Sequence, residues 1–347
     1  MAFDKHASPD TKQYHIQVAR GEVGRYVFLP GDPFRTDLIA SFLEDAKLIA
    51  HNREHKTWTG TLCGEKVSVT STGMGCPSTA IAVEELIKAG ADTFIRIGTA
   101  GPVRDSSDCE RYDGVIVTAA VRDEGTTTHY IPIEYPAVAD RHVVEALSRA
   151  ALAKKLNYAE GISQSKDSFY GEIDPDCSPV SGLLKERWRA WQRGNVMCSE
   201  MECAALFIVS SIRGKRAGAI MNWGDMNETI QTACDAVRLL IGQDKANSEQ
   251  GGYACYECFY PLGSYHLLRR KSDFAKLTQK KNAATSKKIT TLSKSCSVLS
   301  RTFLFALFFD FGNLLCRCGY NPYACIAHTV KKRVKLPPLR VLLRRRF

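Results

Sequence analysis

The sequence predicts an α/β fold, in which helices cover a central sheet of mixed or parallel strands. Short apolar runs that are typical of buried strands alternate along the chain with longer segments that are typical of helices. Glycine or proline follows several of these runs, where turns are expected. Because parallel strands need crossover connections, this alternation favours helices packed on the faces of one sheet.

The predicted elements follow one another in a regular order. Strands are predicted at residues 26–29, 46–50, 67–71 and 93–97, and a helix at residues 77–89. Pro77 can open that helix and Gly90 can end it, and Pro33 favours a helix start after the first strand. The later elements are a strand at 115–119, helices at 141–155, 182–193 and 200–211, a strand at 217–221 and a helix at 228–241.

Charge separates the predicted domain from the chain that follows it. Residues 247–347 carry 19 Lys and Arg against 4 Asp and Glu, and the whole chain is at +10, so residues 1–246 are at −5. The basic character therefore belongs to the tail and does not indicate that the domain binds nucleic acid. The 13 cysteines are irregularly spaced and no apolar N-terminal signal precedes them, so we expect free thiols in a reducing compartment.

Arg96 lies inside an apolar run that is typical of a buried strand, and this run opens into the turn at residues 98–101. A buried guanidinium stays charged and needs a fixed anion beside it. A protein carboxylate is one candidate. The turn has two glycines and a threonine, and its backbone N–H groups favour the second candidate, a small oxyanion such as phosphate.

Two further arginines follow strand-like runs. Arg35 comes after the first predicted strand, and Arg53 follows the run at residues 46–50. Each of them alone is typical of a solvated surface charge. Together with Arg96 they form a donor set that suits a planar or tetrahedral dianion, because guanidinium groups bind such anions through paired hydrogen bonds.

Five segments in order carry a wider resemblance: Gly31-Asp32-Pro33-Phe34-Arg35, residues 71–79, residues 96–101, residues 134–140 and Ser199-Glu200-Met201-Glu202. They resemble the nucleoside phosphorylase family, which includes uridine phosphorylases, from about residue 15 to about residue 241. The resemblance implies a single nucleoside-phosphorylase-like domain with a central mixed sheet flanked by helices. We assign it to residues 1–246, and we expect residues 247–347 to be an unrelated, poorly ordered basic extension.

The resemblance implies a phosphate site at matching positions: Gly31, Arg35, Arg53, Arg96 and Thr99. In the family, the residue that matches Arg53 reaches in from a neighbouring subunit. The expected partners are therefore a homodimer or higher oligomer with shared active sites, together with a nucleoside and inorganic phosphate.

Ribose is assigned to Met201 and Glu202, and the 5′-hydroxyl to His15 of a neighbouring subunit. A carboxylate such as Glu202 can accept hydrogen bonds from the 2′- and 3′-hydroxyls together. Two alternatives stay open, since Ser199-x-x-Glu202 also matches a helix capping box and His15 also fits a lone surface histidine. The predicted catalytic residues are Arg96, Arg35 and Glu202.

Phe169, Gly101 and Asn222 are predicted to line the base pocket, where the sequence departs from the family. Uridine phosphorylases follow the aromatic residue with a Gln-x-Arg pair, but residues 171–176 contain neither Gln nor Arg. Trp223 stands where the pyrimidine branch has arginine. Base recognition must therefore be partly rewired, and four nearby residues are candidate replacements: Arg187, Arg189, Gln192 and Arg193.

The resemblance implies phosphorolysis of uridine to uracil and ribose 1-phosphate, a step of pyrimidine nucleoside salvage or catabolism. Phosphate is a co-substrate, and positioning and electrostatics can supply the catalysis without a metal or an organic cofactor. The alternatives are a purine nucleoside phosphorylase or a related nucleosidase, and a non-catalytic binding protein with a nucleic-acid-binding tail. We expect a cytoplasmic protein without a membrane or nucleic-acid partner.

Overall fold

The computed structural model describes residues 11–249 of the chain. Its strands are β1 Tyr26–Leu29, β2 Glu44–Asn52, β3 His55–Leu62, β4 Glu65–Thr70, β5 Thr93–Thr99, β6 Gly101–Pro102, β7 Gly114–Asp123, β8 Ala137–Val138, β9 Tyr158–Lys166, β10 Cys198–Glu200 and β11 Arg216–Asn222. Its helices are α1 Pro33–Ala40, α2 Cys76–Ala89, α3 Asp108–Arg111, α4 Arg141–Ala153, α5 Phe169–Ile173, α6 Ser181–Arg193, α7 Cys203–Ile212 and α8 Met226–Glu249. Short 3₁₀ turns occupy Thr127–His129 and Pro175–Cys177.

The strands of this part of the chain form one mixed sheet in the order β2-β3-β4-β1-β5-β11-β7-β9-β10-β6, with β8 paired to β7. Strands β4, β1, β5 and β11 are neighbours and run parallel. Strand β7 is antiparallel to β11 but parallel to β9, which is parallel to β10. The carboxyl ends of β1, β5 and β11 therefore meet at one edge, where ligands bind in open α/β sheets.

Helices cover both faces of this sheet, which confirms the predicted α/β fold. Alternate residues of β1 enter different cores, Val27 and Leu29 on one face and Tyr26 and Phe28 on the other. The first core includes buried residues of α2 and α7, and the second includes those of α4 and α8. None of the helices within residues 11–249 is long and apolar enough to cross a membrane.

The predicted elements are present, and most of their ends differ from the prediction by a few residues. The last helix, predicted at 228–241, continues to Glu249. The predicted helix at 200–211 begins later, at Cys203, because residues 198–200 form β10. The strands missed by the prediction are β3, β9 and the short strands β6, β8 and β10. Buried polar residues such as Ser163, Ser165 and Lys166 remove from β9 the alternation of apolar and polar residues that identifies a half-buried strand.

The predicted boundary between residues 246 and 247 falls within α8. Residues 250–347 of the predicted basic extension lie outside the described residues, and the assignment of residues 247–347 as an extension stays a prediction.

Asp244 connects α8 to the sheet through hydrogen bonds. Its carboxylate accepts hydrogen bonds from Tyr26 Oη at 2.6 Å and from Arg216 Nη1 and Nη2 at 2.9 and 2.6 Å. Burial alone would raise the pKa of Asp244, but the hydrogen bonds from Arg216 and Tyr26 outweigh burial and hold that pKa below its ordinary value. The charged form of Asp244 therefore stabilises the fold.

We expect Asp244→Asn to lower the free energy of unfolding at pH 7 by about 1–3 kcal/mol, because the charge-assisted bonds are weakened. A depressed folded-state pKa contributes stability above the unfolded pKa of about 4 and loses it as the pH falls through the folded-state pKa. The difference between wild type and variant, measured by urea unfolding, should therefore shrink from pH 7 to pH 3. Asp235→Asn is the matched control on the same helix, since Asp235 makes more exposed ion pairs with Lys154 and Arg238. An equal loss in both variants would contradict this role of Asp244.

Candidate active site

The candidate site lies at the carboxyl edge of the parallel strands. In the strand register Leu29 pairs with Arg96, and Thr99 pairs with Asn222. The turn after β1 begins at Pro30 and leads into α1, which carries Arg35. The sheet therefore gathers, at one edge, predicted site residues that are far apart in the sequence.

Arg96 is buried, with 5% of its surface exposed. Its Nη2 contacts Glu202 Oε2, and its Nε lies 3.6 Å from Glu200 Oε2. Burial alone would lower the pKa of Arg96, but Glu202 and Glu200 outweigh burial and raise it. Protein carboxylates therefore neutralise this guanidinium, yet Nε and Nη1 have no hydrogen-bond partner within residues 11–249. These N–H groups remain able to bind an oxyanion.

Two glycines leave room for the Arg96 guanidinium. A Cβ atom at Gly98 would lie 3.2 Å from Arg96 Nη2 and 2.9 Å from Met221 Sδ. A Cβ atom at Gly31 would lie 4.0 Å from Arg96 Nη1 and 3.3 Å from the carbonyl oxygen of Gly73. The backbone at Gly31 therefore comes close to the unpaired side of the guanidinium, which glycine permits.

Arg35 adds a second positive charge beside Arg96. Asp32 caps α1 by accepting a hydrogen bond from the N–H of Phe34 at 2.9 Å, and this places Arg35 in the first helical turn. Burial lowers the pKa of Arg35; Asp32 raises it, and the like charge of Arg96 lowers it further. Two neighbouring guanidinium groups favour an anion between them.

Glu202 does not form the capping box that its spacing from Ser199 allowed. Glu200 caps α7 instead, accepting from the N–H groups of Glu202 and Cys203 at 2.7 and 2.8 Å. The Glu202 side chain contacts Arg96 and accepts from the N–H of Gly75 at 2.7 Å. It therefore connects the Arg96 guanidinium to the turn before α2.

Three other predicted residues surround this group. The carbonyl of Met201 lies 3.2 Å from Cys76 Sγ, beside the start of α2. Thr99 is exposed at the end of β5, and Gly101 pairs with Ser199 between β6 and β10. Backbone pairing thus connects the turn after Arg96 directly to the Ser199–Glu202 segment.

The predicted base-contacting residues lie around this turn and at α5. Asn222 Nδ2 donates to Thr229 Oγ1 at 2.8 Å, which orients the amide towards α8. Trp223 Nε1 donates to the carbonyl of Ala100 at 3.0 Å. Phe169 is 49% exposed at the start of α5. Of the candidate replacements on α6, Arg187 pairs with Asp123.

Within the described part of the chain, neither His15 nor Arg53 forms a hydrogen bond or ion pair with Arg96. Arg53 is exposed in the two-residue turn between β2 and β3, where its φ is +55°. Asn52, at the end of β2, donates to the carbonyl of His15 at 2.7 Å. His15 Nδ1 lies 2.7 Å from Glu85 Oε1. The two residues predicted to act across a subunit boundary are therefore neighbours.

The sequence analysis missed a second polar cluster, formed by Lys166, Glu172, Ser199 and Gln164. Lys166 Nζ lies 2.6 Å from Ser199 Oγ and 2.9 Å from Glu172 Oε2. The available signal was a lysine three residues before Phe169, but it could be interpreted only with β9 identified. Within residues 11–249 no three His, Cys, Asp or Glu side chains converge as metal ligands.

Comparison with known proteins places this geometry in a family. Residues 25–241 match the family model described as the phosphorylase superfamily. The chain is 44% identical over 248 residues to a uridine phosphorylase from Treponema pallidum, an alignment that covers 67% of this chain and 95% of the relative. It is 40% identical to a uridine phosphorylase from Thermococcus kodakarensis, over 72% of this chain and 95% of the relative.

A guanosine phosphorylase from Halorubrum lacusprofundi is 40% identical over 60% of this chain and 81% of the relative. The family match spans β1 to α8 and includes the turn after β1, the Arg96 strand and the Glu202 segment. The chain belongs to the phosphorylase superfamily.

Proposed function

We propose that this protein is a pentosyltransferase that phosphorolyses uridine to uracil and ribose 1-phosphate. The observation that carries the proposal is Arg96, which is buried against Glu202 while its Nε and Nη1 have no hydrogen-bond partner within residues 11–249. Two uridine phosphorylases that share 44% and 40% identity with this chain over 95% of their own lengths support the choice of reaction.

Arg96, Arg35, Thr99 and the backbone at Gly31 bind phosphate. The guanidinium groups supply charge, and Gly31 leaves space beside Arg96 Nη1. Phosphate is the attacking co-substrate, so this end of the site both binds and orients the nucleophile. The proposed reaction uses no metal or organic cofactor.

Glu202 and Met201 bind the ribose. The Glu202 carboxylate can accept hydrogen bonds from two ribose hydroxyls, and its contact with Arg96 sets the sugar against the phosphate. As the bond to the base breaks, positive charge develops on the sugar, as it does in glycoside cleavage. The phosphate dianion held below the sugar stabilises that charge.

The active site is shared between subunits of a homo-oligomer. His15 and the β2–β3 turn that carries Arg53 are joined by the hydrogen bond from Asn52, and within residues 11–249 neither residue forms a hydrogen bond or ion pair with Arg96. In the proposed assembly this surface completes the phosphate and 5′-hydroxyl sites of a neighbouring subunit. The seven cysteines of the described residues are free, which fits the proposed cytoplasmic location.

A purine nucleoside is the second candidate substrate, because the relative from Halorubrum lacusprofundi is named a guanosine phosphorylase. Purine cleavage is helped by a general acid that protonates the departing base. Asn222 stands at the position predicted for that acid, and its amide donates to Thr229 rather than carrying a titrating proton. This contact favours uridine.

We expect a higher kcat/KM for uridine than for thymidine or inosine, and cleavage only when phosphate is present. The uracil anion is delocalised over two carbonyl oxygens and needs less protonation than a purine. Release of free base from a nucleoside panel, with and without phosphate, measures this preference. Faster cleavage of inosine would place the enzyme in the purine branch, and cleavage without phosphate would make it a nucleosidase.

Arg96→Ala should raise the KM for phosphate or lower kcat by about tenfold or more, because a charge-assisted hydrogen bond contributes ~1.5–3 kcal/mol. Arg96→Lys should restore little activity, since a point charge cannot replace the guanidinium fork. Arg35→Ala tests the same site without leaving the buried glutamates unpaired. Arg238→Ala is the control, because Arg238 pairs with Asp235 on the surface of α8. Unchanged phosphate kinetics in folded Arg96 and Arg35 variants would exclude this phosphate site.

Mixed oligomers test the shared site. Arg53→Ala and Glu202→Ala subunits should each be inactive alone. In a mixed dimer one of the two sites receives both changes and the other receives neither. Random mixing of equal amounts makes about half of the dimers mixed, so about a quarter of wild-type activity should return. No recovery in mixed dimers whose formation is verified by mass would show that each site belongs to one chain.

A further inference from the structure

Lys166 is a buried charge that the phosphate and ribose sites do not use. Its exposed fraction is 6%, and its Nζ contacts both Ser199 Oγ and Glu172 Oε2. Ser199 Oγ also lies 2.6 Å from Glu172 Oε2 and 2.7 Å from Gln164 Oε1, and its single proton serves one of these acceptors at a time. We call Lys166 and Glu172 the Lys–Glu pair.

The Lys–Glu pair adjoins the side of the site where the base is expected. Ser199 pairs through its backbone with Gly101, in the turn that follows the Arg96 strand. Lys166 Nζ lies 5.8 Å from the centre of the Phe169 ring, and Glu172 follows Phe169 on α5. The pair is therefore connected to two predicted base-contacting residues.

Both members of the pair reach open space. They line a cavity of about 350 Å³, whose other walls come largely from α6. The Glu172 side chain is 16% exposed, and within residues 11–249 its polar contacts use Oε2. Oε1 is therefore able to accept a hydrogen bond from a ligand.

We propose that the Lys–Glu pair binds the imide edge of the uracil ring, which consists of N3–H and its neighbouring carbonyl groups. In this proposal, which rests on the proposed function, the Glu172 carboxylate accepts from the base N3–H and the Lys166 ammonium donates to an adjacent carbonyl oxygen. A carboxylate only accepts and an ammonium only donates, so the pair matches the donor and acceptor that lie side by side on uracil. It takes the place of the Gln-x-Arg pair that residues 171–176 lack.

The pair also discriminates against cytosine. Cytosine N3 is an acceptor, and facing it with a carboxylate leaves two acceptors opposed. Lys166 has a second effect, because negative charge collects on the uracil oxygens as the base leaves. An ammonium beside one of these oxygens stabilises the transition state more than the ground state.

The test compares Glu172→Gln and Lys166→Met with wild type. Lys154→Met is the control, because Lys154, the residue after α4, forms an ion pair of the same length with Asp235 on α8. Uridine phosphorolysis gives kcat, the KM for uridine and the KM for phosphate. Cytidine and N3-methyluridine, used as competitive inhibitors, report on recognition at N3.

Glu172→Gln should lower kcat/KM for uridine by about tenfold or more, since a charged acceptor is lost. It should also bind cytidine more tightly relative to uridine, because an amide can donate to cytosine N3. N3-methyluridine should inhibit wild type weakly, because it has no N3–H to donate and its methyl group occupies that position. Lys166→Met should lower kcat by about tenfold or more, with the KM for phosphate unchanged and Lys154→Met close to wild type.

Failure of the two proposals can be told apart. If wild type does not cleave uridine with phosphate, the proposed function fails before any variant is compared. If wild type does cleave uridine, unchanged cytidine discrimination in Glu172→Gln overturns the inference and leaves the function intact. A loss of thermal stability in both variants without a change in kcat or in inhibitor discrimination shows a purely structural ion pair. Glu172→Gln keeps the shape of the side chain, so its cytidine discrimination tests the inference even if Lys166→Met does not fold.

Discussion

The structure depends on a positive charge that is buried near the carboxyl ends of the parallel strands. This charge belongs to Arg96 on β5, a central strand of the sheet, where an unpaired guanidinium would be very costly. Glu202 and Glu200 neutralise it, and the two carboxylates come from the short segment that ends β10 and leads into α7. The position of α7 is therefore linked to the charge on β5, although more than a hundred residues separate them in the sequence.

The two glutamates of this segment have different tasks. Glu200 holds the N-terminus of α7 through two backbone N–H groups, which fixes the helix and the direction of the chain before it. Glu202 is then directed towards Arg96 and Gly75. The cap formed by Glu200 thus positions the carboxylate of Glu202. This proposed substrate-binding group is therefore held in place before any substrate binds.

The two ends of the proposed site differ in their electrostatics. At the proposed phosphate end, burial and the like charge of Arg96 lower the pKa of Arg35, and the positive field of the two guanidinium groups suits a dianion. At the proposed base end, Lys166 is neutralised by Glu172, and a neutral ring meets one donor and one acceptor. In the proposed reaction, negative charge moves from phosphate towards the base. Each end of the proposed site has a cation near the group that carries this charge, before or after the reaction.

Local patterns in the sequence were enough to predict the α/β fold and the turns that follow β1 and β5. The transitions from strand to turn at Gly31 and Gly98 occupy a few consecutive residues, and the buried position of Arg96 follows from the apolar run around it. The sequence could not decide between a carboxylate and phosphate as the partner of Arg96. The structure shows that Glu202 contacts the guanidinium and that Nε and Nη1 have no hydrogen-bond partner within residues 11–249.

The role of Glu202 and the existence of the Lys–Glu pair depended on tertiary structure. The capping-box spacing was compatible with the sequence, but burial of Arg96 draws Glu202 away and leaves Glu200 as the cap. Lys166 meets Ser199 because β9 and β10 are parallel neighbours, and β9 has no apolar alternation to reveal it. Its polar side chains are buried because other strands and helices supply their partners. Such pairing between distant segments has no local signature, and only the assembled sheet brings these residues together.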